Sequence, residues 1–93
     1  MNVKFENSKL KIAFIDERIS DSRKRVFIFK LDINDFDTPQ LNIEYESEEE
    51  LINRIWIDEE PSINVPKSHV AYKIFTLLEY EVTEIIKFMI KHL

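Results

Sequence analysis

The densest run of potential ligands lies between Leu31 and Pro39, where Asp32, Asn34, Asp35 and Asp37 offer oxygen atoms to a hard cation such as calcium. The spacing fails the calcium-loop template. With Asp32 as its first position, Phe36 falls where a ligand is needed, Asp37 where the tight-turn glycine belongs, and Ile43 where a bidentate glutamate is required. Asn and Asp satisfying their own backbone in a turn account for the same residues, and no metal site is expected. His69 and His92 are the only imidazoles, and they fall near opposite ends of one expected helix, too far apart to act together. No nucleophile, base and oxyanion donor can be assembled from the remaining residues, so no catalytic residues and no cofactor are expected.

Carboxylates are the more informative group. Residues 1–30 hold eight basic and four acidic side chains; residues 31–63 hold eleven acids and only Arg54; residues 64–93 hold four bases and three acids. The middle third therefore carries Glu44, Glu46, Glu48, Glu49, Glu50, Asp58, Glu59 and Glu60 as a concentrated anionic stretch. Merged into one surface, these groups would repel nucleic acid and steer a basic protein into contact. Solvation and complementing a helix dipole explain such a run equally simply. Trp56, or Tyr45, is the candidate apolar anchor in this neighbourhood. Arg18, Arg23, Lys24, Arg25 and Lys30 form a modest basic cluster, expected to pair with the protein's own acids.

The elements that must position these groups follow from hydrophobic period. Apolar residues at every second position predict strands at Leu10, Ile12 and Phe14, at Phe27 to Ile33, and at Leu41, Ile43 and Tyr45, with Val3 and Phe5 a possible short fourth. Val26 and Ile28 fill the opposite face of the second of these, which marks it as a central strand buried on both sides. Asp16 to Lys24 and Asn34 to Pro39 read as polar connections. With no Gly in the chain, loops longer than two residues are expected, with Asn or Asp supplying any positive φ. Ser47 and Glu50 stand at capping-box spacing, and Leu51, Ile52, Ile55 and Trp56 recur helically, so a short acidic helix is expected from about Glu48.

Ser68 is the expected N-cap of a helix from His69 to about His92, roughly 36 Å long. Its apolar residues spread over about 220° of the helical wheel, more than one sheet face covers. Phe75, Glu81, Ile86 and Ile90 are the candidates for contact with a second chain, and a homodimer is one expectation. Glu81 falls inside the apolar arc beside Leu77 and Ile85, where a carboxylate needs a basic partner such as Arg54 unless it lies at the arc's edge.

The expected architecture is α+β, one domain over residues 1–93: a three- or four-stranded antiparallel meander, a short acidic helix, and a long C-terminal helix on one sheet face. Composition narrows function further. Without Gly there is no phosphate-cradling loop or dinucleotide fingerprint, and without Cys no disulfide, thiolate metal site or cysteine nucleophile. No signal peptide is visible, and charges within the long helix exclude a membrane span, so a cytoplasmic location is expected. A formal charge of −5 disfavours direct nucleic-acid binding. The expected function is a small acidic protein-binding inhibitor, of the immunity, anti-restriction or anti-defence type, that mimics DNA and blocks a basic nucleic-acid-handling protein such as a nuclease. The alternative is a structural module that assembles with itself through the C-terminal helix.

Overall fold

A computed structural model describes residues 3–34, 39–58 and 61–93. Five strands, β1 (Lys4–Glu6), β2 (Leu10–Ile19), β3 (Arg25–Ile33), β4 (Leu41–Glu46) and β5 (Leu51–Ile57), form one antiparallel sheet in sequence order. One helix among the described residues, α1 (Val70–Ile90), follows them and packs on one face. The fold is thus α+β with a meander sheet, as the alternation predicts, but with five strands rather than three or four.

Side-chain alternation explains the packing. Phe5, Ile12, Leu31, Leu41 and Ile57 lie in one row across all five strands, and Phe14, Phe29, Ile43 and Ile55 in the next. These rows face α1 and meet Ala71, Ile74, Phe75, Val82, Ile86 and Met89 in one continuous core. Phe14 and Phe29 stack edge to face, with ring centres 5.8 Å apart. On the opposite face Val26 and Ile28 are also buried, as their position in the central strand requires.

Two bulges change the phase of the pattern. Ile15 is an extra residue in β2, between the pairs Phe14–Phe29 and Asp16–Ile28. Beyond it the strand continues to Ile19 with exposed, mostly charged side chains, so much of the polar stretch expected as a loop is strand, and the connection shrinks to Ser20–Lys24. Asn53 is the extra residue in β5, which puts Ile52, Ile55 and Ile57 on the core face with a helix-like first interval.

No acidic helix follows Ser47. Ser47–Glu50 is instead a four-residue hairpin turn between β4 and β5. The Ser47 hydroxyl donates to the Arg25 carbonyl rather than capping a helix, and the Glu49 amide donates to Glu46 Oε2 at 3.1 Å. The turn closes through a left-handed Glu50 at φ 55°, and Arg23 at φ 61° serves the β2–β3 connection. Neither is the Asn or Asp expected to take such a conformation in a glycine-free chain. In the β1–β2 turn the Asn7 side chain accepts from the amides of Lys9 and Leu10.

The N-cap of α1 is His69 rather than Ser68: its Nδ1 accepts from the Ala71 amide at 3.0 Å, and its backbone is extended. Lys87 in the last turn suits the negative end of the helix dipole. Phe75 and Ile86, expected at an interface with a second chain, are buried against the sheet and belong to the core. Ile90 is half-buried at its margin. Glu81 lies at the edge of the buried arc and pairs with Lys9 at 3.7 Å, not with Arg54.

Candidate protein-binding surface

The structure divides the acidic stretch rather than merging it. Glu48, Glu49 and Glu50 occupy the tip of the β4–β5 hairpin; Glu44 and Glu46 lie on β4, pointing away from α1; Asp58 follows the other end of β5. Seven residues at ~3.3 Å each separate the hairpin tip from Asp58 by roughly 20 Å. Glu59 and Glu60, like Asp35 and Asp37 of the rejected calcium template, lie outside the described residues.

Most of the described carboxylates meet bases from other segments. Lys24 Nζ stands 3.3 Å from Glu49 and 3.7 Å from Glu46, and Lys87 is 3.4 Å from Glu50. Asp58 accepts from Lys30 and from the buried Asn42 amide, each at 2.7 Å. Glu44 accepts from Asn53 at 3.3 Å. Arg18 pairs with Asp16 and Arg25 with Glu17, so with Lys24 and Lys30 four of the five residues of the basic cluster serve the protein's own acids.

Three expected contact residues are withdrawn by this geometry. Glu46 is only 5% exposed, beneath Lys24 and the hairpin turn. Trp56 is buried with the Arg54 guanidinium over its ring, 4.2 Å from the centroid, and that guanidinium also donates to the Pro61 carbonyl. Tyr45 is buried on the core face. Glu48, Glu49 and Glu50 are exposed and adjacent to each other on the hairpin turn, while Asp58, also exposed, stands apart at the far end of β5.

The ion pairs leave their mark on acidity. The hydrogen bond from Lys30, and then that from Asn42, holds the Asp58 carboxyl below its ordinary value of 3.8. The Glu49 hydrogen bond and then the Glu46 charge raise Lys24, and the charges of Glu50 and Glu84 raise Lys87. A carboxyl depressed in the folded state stabilises it above the unfolded value, and that contribution disappears as pH falls through the folded value. Asp58→Asn is therefore expected to flatten the stability profile below about pH 4 and leave its shape near pH 7 unchanged, as read from urea midpoints against pH.

On the face away from α1, an open depression of about 450 Å³ is lined by Arg18, Ser20, Asp21, Val26, Glu44 and Arg54, among others. Its charges are mixed, and both imidazoles belong to the helix side of the sheet. Among the described residues, no group of three or more His, Cys, Asp or Glu is placed to hold a metal ion, and no helix is long and apolar enough to cross a membrane.

The most exposed apolar surface was not the one the sequence indicated. On the outer face of α1, Leu77 is 79% exposed, Tyr80 81%, Phe88 60% and Val70 57%. Lys73, Glu84, Lys87 and Lys91 mark the centre of that face at 100° per residue, and the core stripe lies opposite them. That charged row was the available signal. Comparison with known proteins supplies no family for this surface: no family model, no curated protein and no solved structure matches the chain.

Proposed function

We propose that this chain is a non-catalytic inhibitor of the immunity or anti-defence type, acting in the cytoplasm, that covers the nucleic-acid-binding surface of a basic protein with its β4–β5 hairpin tip. The supporting observation is the turn itself, where Glu48, Glu49 and Glu50 stand consecutively exposed between a left-handed Glu50 and the Glu46–Glu49 hydrogen bond. A backbone fixed in this way presents its carboxylates without paying much ordering entropy on binding. The pairs of Glu49 with Lys24 and Glu50 with Lys87 lie at the surface, where such pairs contribute little to stability. A partner's Lys and Arg residues can therefore replace them. The contact surface is narrower than an anionic stretch running from Glu44 to Glu60 would be, because Glu46 and Trp56 are buried and Asp58 lies at the far end of β5.

The test compares wild type with Glu48→Lys/Glu49→Lys/Glu50→Lys in pull-downs from the source cell, followed by an activity assay on any nucleic-acid enzyme recovered. Wild type is expected to retain and inhibit a basic enzyme, with binding weakened by salt, and the triple variant to lose about 100-fold in affinity. Thermal melting of the triple variant serves as the control for folding, since it removes the Glu49–Lys24 and Glu50–Lys87 pairs. Equal binding by wild type and the folded triple variant, or binding indifferent to salt, overturns the proposal.

A further inference from the structure

The outer face of α1 is complementary to itself. Val70, Lys73, Leu77, Tyr80, Glu84 and Lys87 follow one another at intervals of three and four residues, the seam spacing of a two-helix coiled coil. None of them is among the buried residues of α1, and Lys73 has no ion-pair partner among the described residues. Reversing the helix about a point midway between Leu78 and Glu79 maps this row onto itself. Leu77 then faces Tyr80 of the reversed copy, Lys73 faces its Glu84, and Val70 faces the stem of its Lys87, with Phe88 alongside. Each relation occurs twice. In a parallel pairing every charge would meet its own kind, so the charges select the antiparallel arrangement.

We infer that this face of α1 binds a second copy of the chain in an antiparallel, two-fold pairing centred between Leu78 and Glu79. The contact is closed, because the same patch is used on both copies, and it leads to a dimer rather than a filament. Among the ion pairs of the described residues, Lys87–Glu50 links the hairpin tip to the end of this seam, whereas the Leu77–Tyr80 and Lys73–Glu84 relations use no tip carboxylate, so the pairing does not depend on the tip binding a basic protein. Tyr80 and Phe88, as large exposed aromatics, supply roughly 300 Å² per copy, against the ~800 Å² per partner of a standard interface. Val70, Leu77 and the stems of Lys73 and Lys87 supply much of the rest. Buried area does not by itself fix affinity, so the pairing is tested across a wide concentration range.

Sedimentation equilibrium of the full chain over about 1–500 µM tests this, with thermal melting of each variant at low concentration as the folding control. Wild type is expected to rise from 11.2 kDa towards twice that mass as concentration increases. Leu77→Asp/Tyr80→Asp should stay at monomer mass with an unchanged melting temperature, because both residues are exposed in the single chain. Lys73→Glu should raise the dissociation constant by about 3- to 10-fold, and Lys73→Glu/Glu84→Lys should restore it. A wild type that is monomeric throughout, a dimer that survives Leu77→Asp/Tyr80→Asp, or a charge swap that fails to restore pairing overturns the inference. Binding of that face to a different protein instead would show as a monomer in the pure sample and count against it.

Discussion

Replacing Phe29 by Ala is expected to destabilise the protein by about 3–5 kcal/mol, a large part of the roughly 5–14 kcal/mol available to a chain of this length. Phe29 lies in the central strand, fully buried, with Phe14 opposite it on β2 and Ile43 opposite it on β4. The two neighbouring strands are held in register by their own hydrogen-bond ladders, so they cannot close in to fill the space left by a lost ring. The cost combines lost transfer free energy with that of the remaining cavity. The edge-to-face contact with Phe14 is lost as well. Urea unfolding of both proteins measures the difference as a lower midpoint with an unchanged slope. A loss below about 1.5 kcal/mol would mean that the core collapses around the site more readily than the register suggests.

Ile86→Asp and Leu77→Asp should differ by the whole stability of the fold. Ile86 is fully buried beneath the sheet, and a carboxylate placed there has no base to pair with in the apolar core, so the variant is expected to lose cooperative folding. Leu77 is 79% exposed, and its replacement should change stability by no more than about 0.5 kcal/mol. Circular dichroism melts of both variants decide the matter. A folded Ile86→Asp together with an unfolded Leu77→Asp would mean that α1 presents the other side to the sheet. The pair also separates the interface expected at Phe75 and Ile86 from the one at Leu77 and Tyr80. Substitution in the first unfolds the chain, whereas substitution in the second changes only its association.

Alternation made the middle of the sheet legible. Leu10 to Phe14, Phe27 to Ile33 and Leu41 to Tyr45 keep an unbroken period of two, because each of these stretches lies between bulges rather than across one. The errors cluster where a bulge interrupts that period. At Asn53 the core-facing residues become Ile52, Ile55 and Ile57, and an interval of three followed by two imitates a helix. The Ser47 and Glu50 spacing then supplied a false cap for it. At Ile15 the inward apolar series ends early, and Asp16 to Ile19 look like loop because both faces of that strand end are wet.

The candidate site was less legible than the fold for a related reason. Sequence separates charges by position along the chain, whereas pairing is set by register between strands. Lys30 and Asp58, far apart in sequence, become neighbours only once β3, β4 and β5 are aligned. In α1, Leu77 counted within the apolar arc while Phe75 and Ile86 counted as candidates for a second chain, because an arc of about 220° has no sharp centre. The narrower charged row opposite the core locates that centre better.

The order of the elements also sets the protein's exposure during synthesis. Every strand pairs with its sequence neighbour, so the sheet can grow hairpin by hairpin as the chain leaves the ribosome, with local contacts that close quickly. Its cover, α1, comes last, after a connection running from Asp58 to His69. At about 5–20 residues per second, a nascent sheet therefore carries Leu31, Leu41 and Ile43 bare for a few seconds, a surface open to chaperones and to other nascent chains.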